Sequence, residues 1–149
     1  MALSGNCDAL LLACIVARMS EGAKQIRILV ADDFAEWRVQ VRSILQRRPE
    51  WQVVEAHDGL QAVQKAIELH PDIVLLDIAM PFLNGIEAAK RIRKGSPGSR
   101  LIFLTQDNDA EVRAAALATS AERYLLKSSA GNELLPAMVG HFLRRRTNH

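Results

Sequence analysis

Cysteine is scarce: Cys7 and Cys14 are the only two in 149 residues, and both lie near the start of the chain. That excludes a disulfide framework and a zinc site built from Cys and His, and makes a reducing compartment the default. Excess charge is lacking too. Nineteen basic against seventeen acidic side chains leave a formal +2, too little to suggest a nucleic-acid binder. The four histidines, His57, His70, His141 and His149, are scattered and none pairs at helical spacing with another ligand type, so no histidine-centred metal site is expected. No long apolar run is present. The one stretch resembling a targeting signal, "DALLLACIVARM" (Asp8 to Met19), is too short to span a bilayer and lacks the positive start of a signal peptide. Internal repeats and low-complexity tracts are also missing, so nothing divides the chain after residue 25.

What is present is an ordinary globular composition, 49% apolar and 24% charged, at a length that fits one domain with a real core. Met19 opens "MSEGAKQIRILV", a polar leader into a β-rich run. Residues 1–25 are therefore either an extra N-terminal helix packed on the domain or the product of a start placed ahead of Met19. The domain itself is expected over 26–146, with 147–149 as a tail.

From residue 26 short β-rich runs alternate with longer helical patterns, which predicts an α/β fold of five βα units with a parallel sheet covered on both faces. The strands are expected at Ile26 to Ala31, Trp51 to Ala56, Asp72 to Asp77, Arg100 to Thr105 and Glu122 to Lys127. Apolar residues at helical spacing lie between them, Val39, Ile44 and Leu45 in the first helix and Ala62, Val63, Ala66 and Ile67 in the second. Pro49, Pro71, "NG" at Asn84 and Gly85, and "GSPGS" punctuate the helix ends. The fifth helix, from about Ser129 to Arg146, contains Pro136, which should kink it or confine it to a later start.

In such a sheet the ligand site lies beyond the carboxyl ends of the strands. Those ends carry Asp32 and Asp33, Asp77, Thr105 and Lys127, while the second strand's end contributes nothing obvious. Carboxylates gathered at one edge repel one another unless a cation joins them. Oxygen ligands, few in number, with room for water and a phosphoryl group, suit Mg²⁺. The lysine supplies a movable positive charge and the threonine a hydroxyl, which are the parts phosphoryl transfer needs. Asp77, backed by a rigid apolar strand, then reads as a nucleophile. Each aspartate alone reads better as a helix cap; it is the combination on four strand ends that points to a site.

On "ILVADD", on "DIVLLDIAMPFLNGIEA" with its Asp-x-x-x-Pro-x-x-x-Gly spacing, on "LIFLT" and on "RYLLKSSAGNELLPAM", the chain resembles the receiver domain of two-component response regulators over about Ile26 to Arg146. The resemblance implies a flavodoxin-like doubly wound sheet in the order 2-1-3-4-5. It also implies roles. Asp77 would accept a phosphoryl group from a phosphohistidine on a sensor histidine kinase or phosphotransfer protein. Asp33 would bind Mg²⁺ directly, Asp32 mostly through water, and the backbone carbonyl of Ala79 would complete the protein ligands. Lys127 and Thr105 would hold phosphate oxygens, and Tyr124 would turn inward as a switch. A cytoplasmic signalling phosphoacceptor, not an enzyme on other substrates, is the expectation, with a second copy of the chain as one further partner and no membrane partner.

Three positions depart from the family's habit: Ser128 where proline usually follows the lysine, Gln106 where a small residue follows the threonine, and Asn84 where aspartate is common before Gly85. The tail resembles receivers that precede a helix-turn-helix, yet Arg144 to Arg146 read better as charges opposing a helix dipole, so DNA binding by this chain alone is not expected. A pseudo-receiver that binds partners without phosphorylation is the alternative, though such modules tend to lose an acid or the lysine. An aspartate-based phosphatase would want a second acid at Ala79, and a nucleotide or flavin binder of this fold would not place "ADDFAEW" after its first strand.

Overall fold

Residues 25–147 are described in the computed structural model, and their β-rich runs form five parallel strands. These are β1 (Ile26–Ala31), β2 (Trp51–Ala56), β3 (Ile73–Leu76), β4 (Arg100–Thr105) and β5 (Arg123–Leu126), in the order β2-β1-β3-β4-β5. The helices are α1 (Ala35–Leu45), α2 (Gly59–Leu69), α3 (Gly85–Gly95), α4 (Ala110–Leu117) and α5 (Ala130–Thr147). This is the expected flavodoxin-like α/β fold. Asp72, Asp77, Glu122 and Lys127 flank their strands and do not belong to them.

Alternation along each strand divides the core. Ile28, Val30, Ile73, Leu75, Ile102 and Leu104 pack with Val41 and Leu45 of α1 and Leu134 and Met138 of α5. Leu29, Ala31, Val74, Leu76, Leu101 and Phe103 meet α2, α3 and α4 on the other face. Two expectations need correction. Val39 is exposed and the buried stripe of α1 is Val41 and Leu45 with Trp37 and Ile44 at its margin, because residues two apart on a helix cannot share a face; Ile67 is likewise largely exposed. Pro136 does not confine α5 to a later start, because the helix runs through it from Ala130 and the proline sits exposed, where the unmatched carbonyl one turn back can meet water. The readings for residues 1–24, including Cys7, Cys14 and Met19, for the tail, and for the side chains of Arg144 to Arg146 fall outside the described residues.

At the amino edge of the sheet a buried polar chain ties two loops together. Ser99 Oγ donates to the Pro71 carbonyl at 2.6 Å, so it must accept from Ser96 Oγ at 2.7 Å. Ser96 in turn accepts from His70 Nδ1 at 3.1 Å, which assigns the proton to that ring nitrogen. At the opposite edge the β3–α3 loop contains a strained residue. Leu83 N–H donates to the Pro81 carbonyl at 2.7 Å across Phe82, whose φ is +67°. Such a γ-turn is rare for a side chain of this size, and Phe82 is 83% exposed, so packing does not offset the strain. Phe82→Gly is therefore expected to stabilise the fold by about 1 kcal/mol, raising the thermal midpoint by roughly 3–5 °C in a melting experiment; an unchanged or lower midpoint would mean the turn is not strained.

Candidate functional site

Register brings the acids together. Ala31 pairs with Leu76, and the next residues beyond the two strands are Asp32 and Asp77; the Asp77 N–H donates to the Ala31 carbonyl at 3.0 Å. Thr105 pairs with Leu126, so Lys127 leaves β5 one residue further on and its long stem reaches back across the sheet edge. Asp33 follows in the loop to α1 and is exposed, whereas Asp32 and Asp77 are buried. One carboxylate oxygen from each of the three lies within 4.8 Å of the other two, the only such acidic, His or Cys grouping among the described residues.

Lys127 is the counter-charge. Its ammonium donates to Asp77 Oδ2 at 3.3 Å and lies 2.6 Å from Asp32 Oδ2. The approach to Asp32 is off the line of a hydrogen bond, so this fully buried oxygen has a charge beside it but no aligned donor. Its sister Oδ1 accepts the Phe34 N–H at 2.9 Å. Burial holds the Asp32 carboxyl above its ordinary value of 3.8; the nearby Lys127 ammonium and the Phe34 N–H oppose that, and the Asp77 charge adds to it.

The supporting loops explain the sequence spacing. A Cβ on Gly85 would stand 2.1 Å from the Asp77 carbonyl oxygen, so only glycine eight residues after that aspartate lets α3 start against it. Asn84 caps α3 by accepting the Glu87 N–H at 2.9 Å, so the turn survives the change from aspartate. Ser128 lies in a single 3₁₀ turn, Lys127–Ser129, that leads into α5. Ala79 is exposed in the β3–α3 loop, two residues after Asp77.

Thr105 is buried at the end of β4, its Oγ1 accepting the Asp107 N–H at 3.3 Å. Tyr124 is turned inward: its hydroxyl donates to the Asp107 carbonyl at 2.6 Å, its ring lies 6.3 Å from that of Phe103, and the Arg113 guanidinium covers it at 5.6 Å. Burial raises the Tyr124 hydroxyl above its usual 10. The structure thus brings Asp32, Asp33, Asp77 and Lys127 into one cluster, with Thr105 on the adjacent strand end and Tyr124 joined to it through Asp107.

Sequence reasoning missed three residues of α1 and undervalued the end of β2. Arg38 Nη1 donates to the Asp32 carbonyl at 2.6 Å and its Nε to Glu55 at 3.3 Å, while Arg42 holds the same carboxylate at 2.7 Å. The β2 end therefore anchors the acidic loop. Trp37 places its ring 5.3 Å from Lys127 Nζ. The spacing 37, 41, 45 down one helix face was the available signal.

Residues 28–139 match the model of the response regulator receiver domain. Among curated relatives, the transcriptional regulatory protein LnrK of Bacillus subtilis is 39% identical over 115 residues, which is 76% of this chain and 52% of that protein. A protein-glutamate methylesterase/protein-glutamine glutaminase of Thermotoga maritima is 44% identical over 105 residues, 68% of this chain and 30% of that protein. This chain thus spans about half or less of those relatives. Among solved structures, the response regulator domain of Thermotoga maritima CheB is 36% identical, with 85% of this chain and 98% of that one covered and a TM-score of 0.69. A LuxR-family two-component response regulator from Aurantimonas is 33% identical, with 78% and 84% covered and a TM-score of 0.73. The family match runs from the third residue of β1 into α5, so the whole sheet edge and every member of the cluster lie inside it: the chain belongs to the response regulator receiver domain family.

Proposed function

We propose that this chain is a phosphorylation-switched receiver in which Asp77 accepts a phosphoryl group from a phosphohistidine of a sensor histidine kinase or phosphotransfer protein. One observation carries the reading: three carboxylates meet at the mouth of the sheet with a single ammonium set between the two buried ones. An Asp77 Oδ attacks phosphorus, the donor's N–P bond breaks, and the departing imidazole keeps that electron pair. The product is an acyl phosphate on Asp77. Lys127, already on the Asp77 carboxylate, moves onto an oxygen of the transferred group, where negative charge is spread in the transition state.

The residues fit Mg²⁺. All the donors are oxygens, exposed Asp33 leaves one side open to water and phosphate, and Asp32 offers a buried oxygen that lacks an aligned donor. Asp32, Asp33, Asp77 and the Ala79 carbonyl would hold the ion, which supplies positive charge against the phosphoryl oxygens. Thr105 and Tyr124 share the loop at Asp107, so a movement of the threonine toward the phosphate is felt at the tyrosine and at the surface of α4, β5 and α5. The chain acts on itself and not on a separate substrate, works in the cytoplasm, and signals by protein contact, with a second copy of the chain as one candidate. Its receiver unit is residues 26–146.

Metal removal tests this. Incubated with acetyl phosphate and Mg²⁺, the chain is expected to gain one phosphoryl group by intact-mass spectrometry, and excess chelator is expected to suppress the gain at least tenfold, on the order of one charge-assisted contact in the transition state. Equal uptake with and without chelator would contradict the role of the acidic cluster.

A further inference from the structure

An ammonium has three protons to place. On Lys127 two sides face Asp32 Oδ2 and Asp77 Oδ2, at 2.6 and 3.3 Å, and the Trp37 ring stands over it at 5.3 Å, leaving the lysine side chain 10% exposed. Trp37 belongs to the first turn of α1 and packs at the margin of the α1–α5 core, so the ring is held by the fold and not by the lysine. We propose that Trp37 is a positioning residue for phosphoryl transfer, an aromatic wall that keeps the Lys127 ammonium at the reaction centre when the carboxylates turn to other partners.

The argument is electrostatic and rests on the receiver reading above. A divalent cation held by the three carboxylates would repel Lys127 and compete with it for Asp32 and Asp77. The indole face attracts a cation through its quadrupole yet is no ligand for a hard metal ion. Of the three contacts described for Lys127, it is thus the one that a metal would leave in place. A lysine so held needs less reorganisation to meet the incoming phosphoryl oxygen, which is how a preorganised charge lowers a barrier. In metal-free protein the same ring shields the lysine from water.

Two variants separate this role from mere packing. Trp37→Leu keeps an apolar side chain but no π face, and Trp37→Phe keeps a weaker face. The uptake rate from acetyl phosphate at saturating Mg²⁺ is expected to fall about five- to thirtyfold in Trp37→Leu and clearly less in Trp37→Phe. Mg²⁺ affinity should stay within about twofold in both, because the indole touches no carboxylate; the comparison uses the folded fraction from melting curves. A second readout needs no chemistry. With Trp51→Phe removing the other tryptophan, which opens β2 at the opposite edge of the sheet, Trp37 emission is expected to shift when Lys127→Met removes the ammonium. A Leu variant as fast as wild type, or emission indifferent to Lys127→Met, overturns the proposal while the receiver reading stands. A wild-type chain that takes up no phosphoryl group overturns both.

Discussion

Lys127→Met is expected to destabilise the metal-free protein by about 3 kcal/mol at neutral pH, a loss of roughly 10 °C in thermal midpoint. The methionine fills much of the same space, so the effect is electrostatic: the buried Asp32 and Asp77 carboxyls lose the ammonium set between them. The sign with pH follows from Asp32, whose carboxyl burial holds above 3.8 in the folded state. A folded state that binds the proton more tightly loses stability as pH rises from 3.8 through that raised value. Without Lys127 the penalty grows, so the deficit should be largest at neutral pH and shrink as acid neutralises Asp32. Mg²⁺ at about a hundredfold its dissociation constant should restore about 2.7 kcal/mol, since it binds only the assembled acids. Melting curves across pH, with and without Mg²⁺, read all of this; a deficit independent of both would mean Lys127 stabilises by packing alone.

Much of the fold was legible because strands buried on both faces read as continuous apolar runs, as in Ile73–Leu76. The acidic cluster was legible for a topological reason: in a parallel sheet every strand delivers its carboxyl end to one edge, so Asp32, Asp77 and Lys127 meet there despite being far apart in sequence. The face of α1 was harder. Phe34 is its N-cap and makes no side-chain cap bond, so no Ser, Thr, Asn or Asp signature marks where the turn begins, and Val39 and Val41 compete for the core. That ambiguity hid Trp37 and Arg38, whose roles depend on which way the first turn points. The strain at Phe82 was also invisible, because a γ-turn of positive φ has no aromatic signature.

Asp77→Ala carries the other large expected effect, complete loss of phosphoryl uptake. Asp32 is a poor substitute nucleophile: it is more buried and its Oδ1 is tied to the Phe34 N–H. Asp33 is exposed and makes no ion pair with the lysine that would hold the incoming oxygens. Removing Asp77 also relieves repulsion among the acids, so the variant should stay folded and the loss is one of chemistry. The decisive measurement is the intact mass of wild type and Asp77→Ala after identical incubation with Mg²⁺ and acetyl phosphate, and then with a kinase phosphohistidine donor. One phosphoryl group on the wild type and none on the variant is the predicted result; equal uptake by both, or none by either with both donors, would contradict Asp77 as the acceptor.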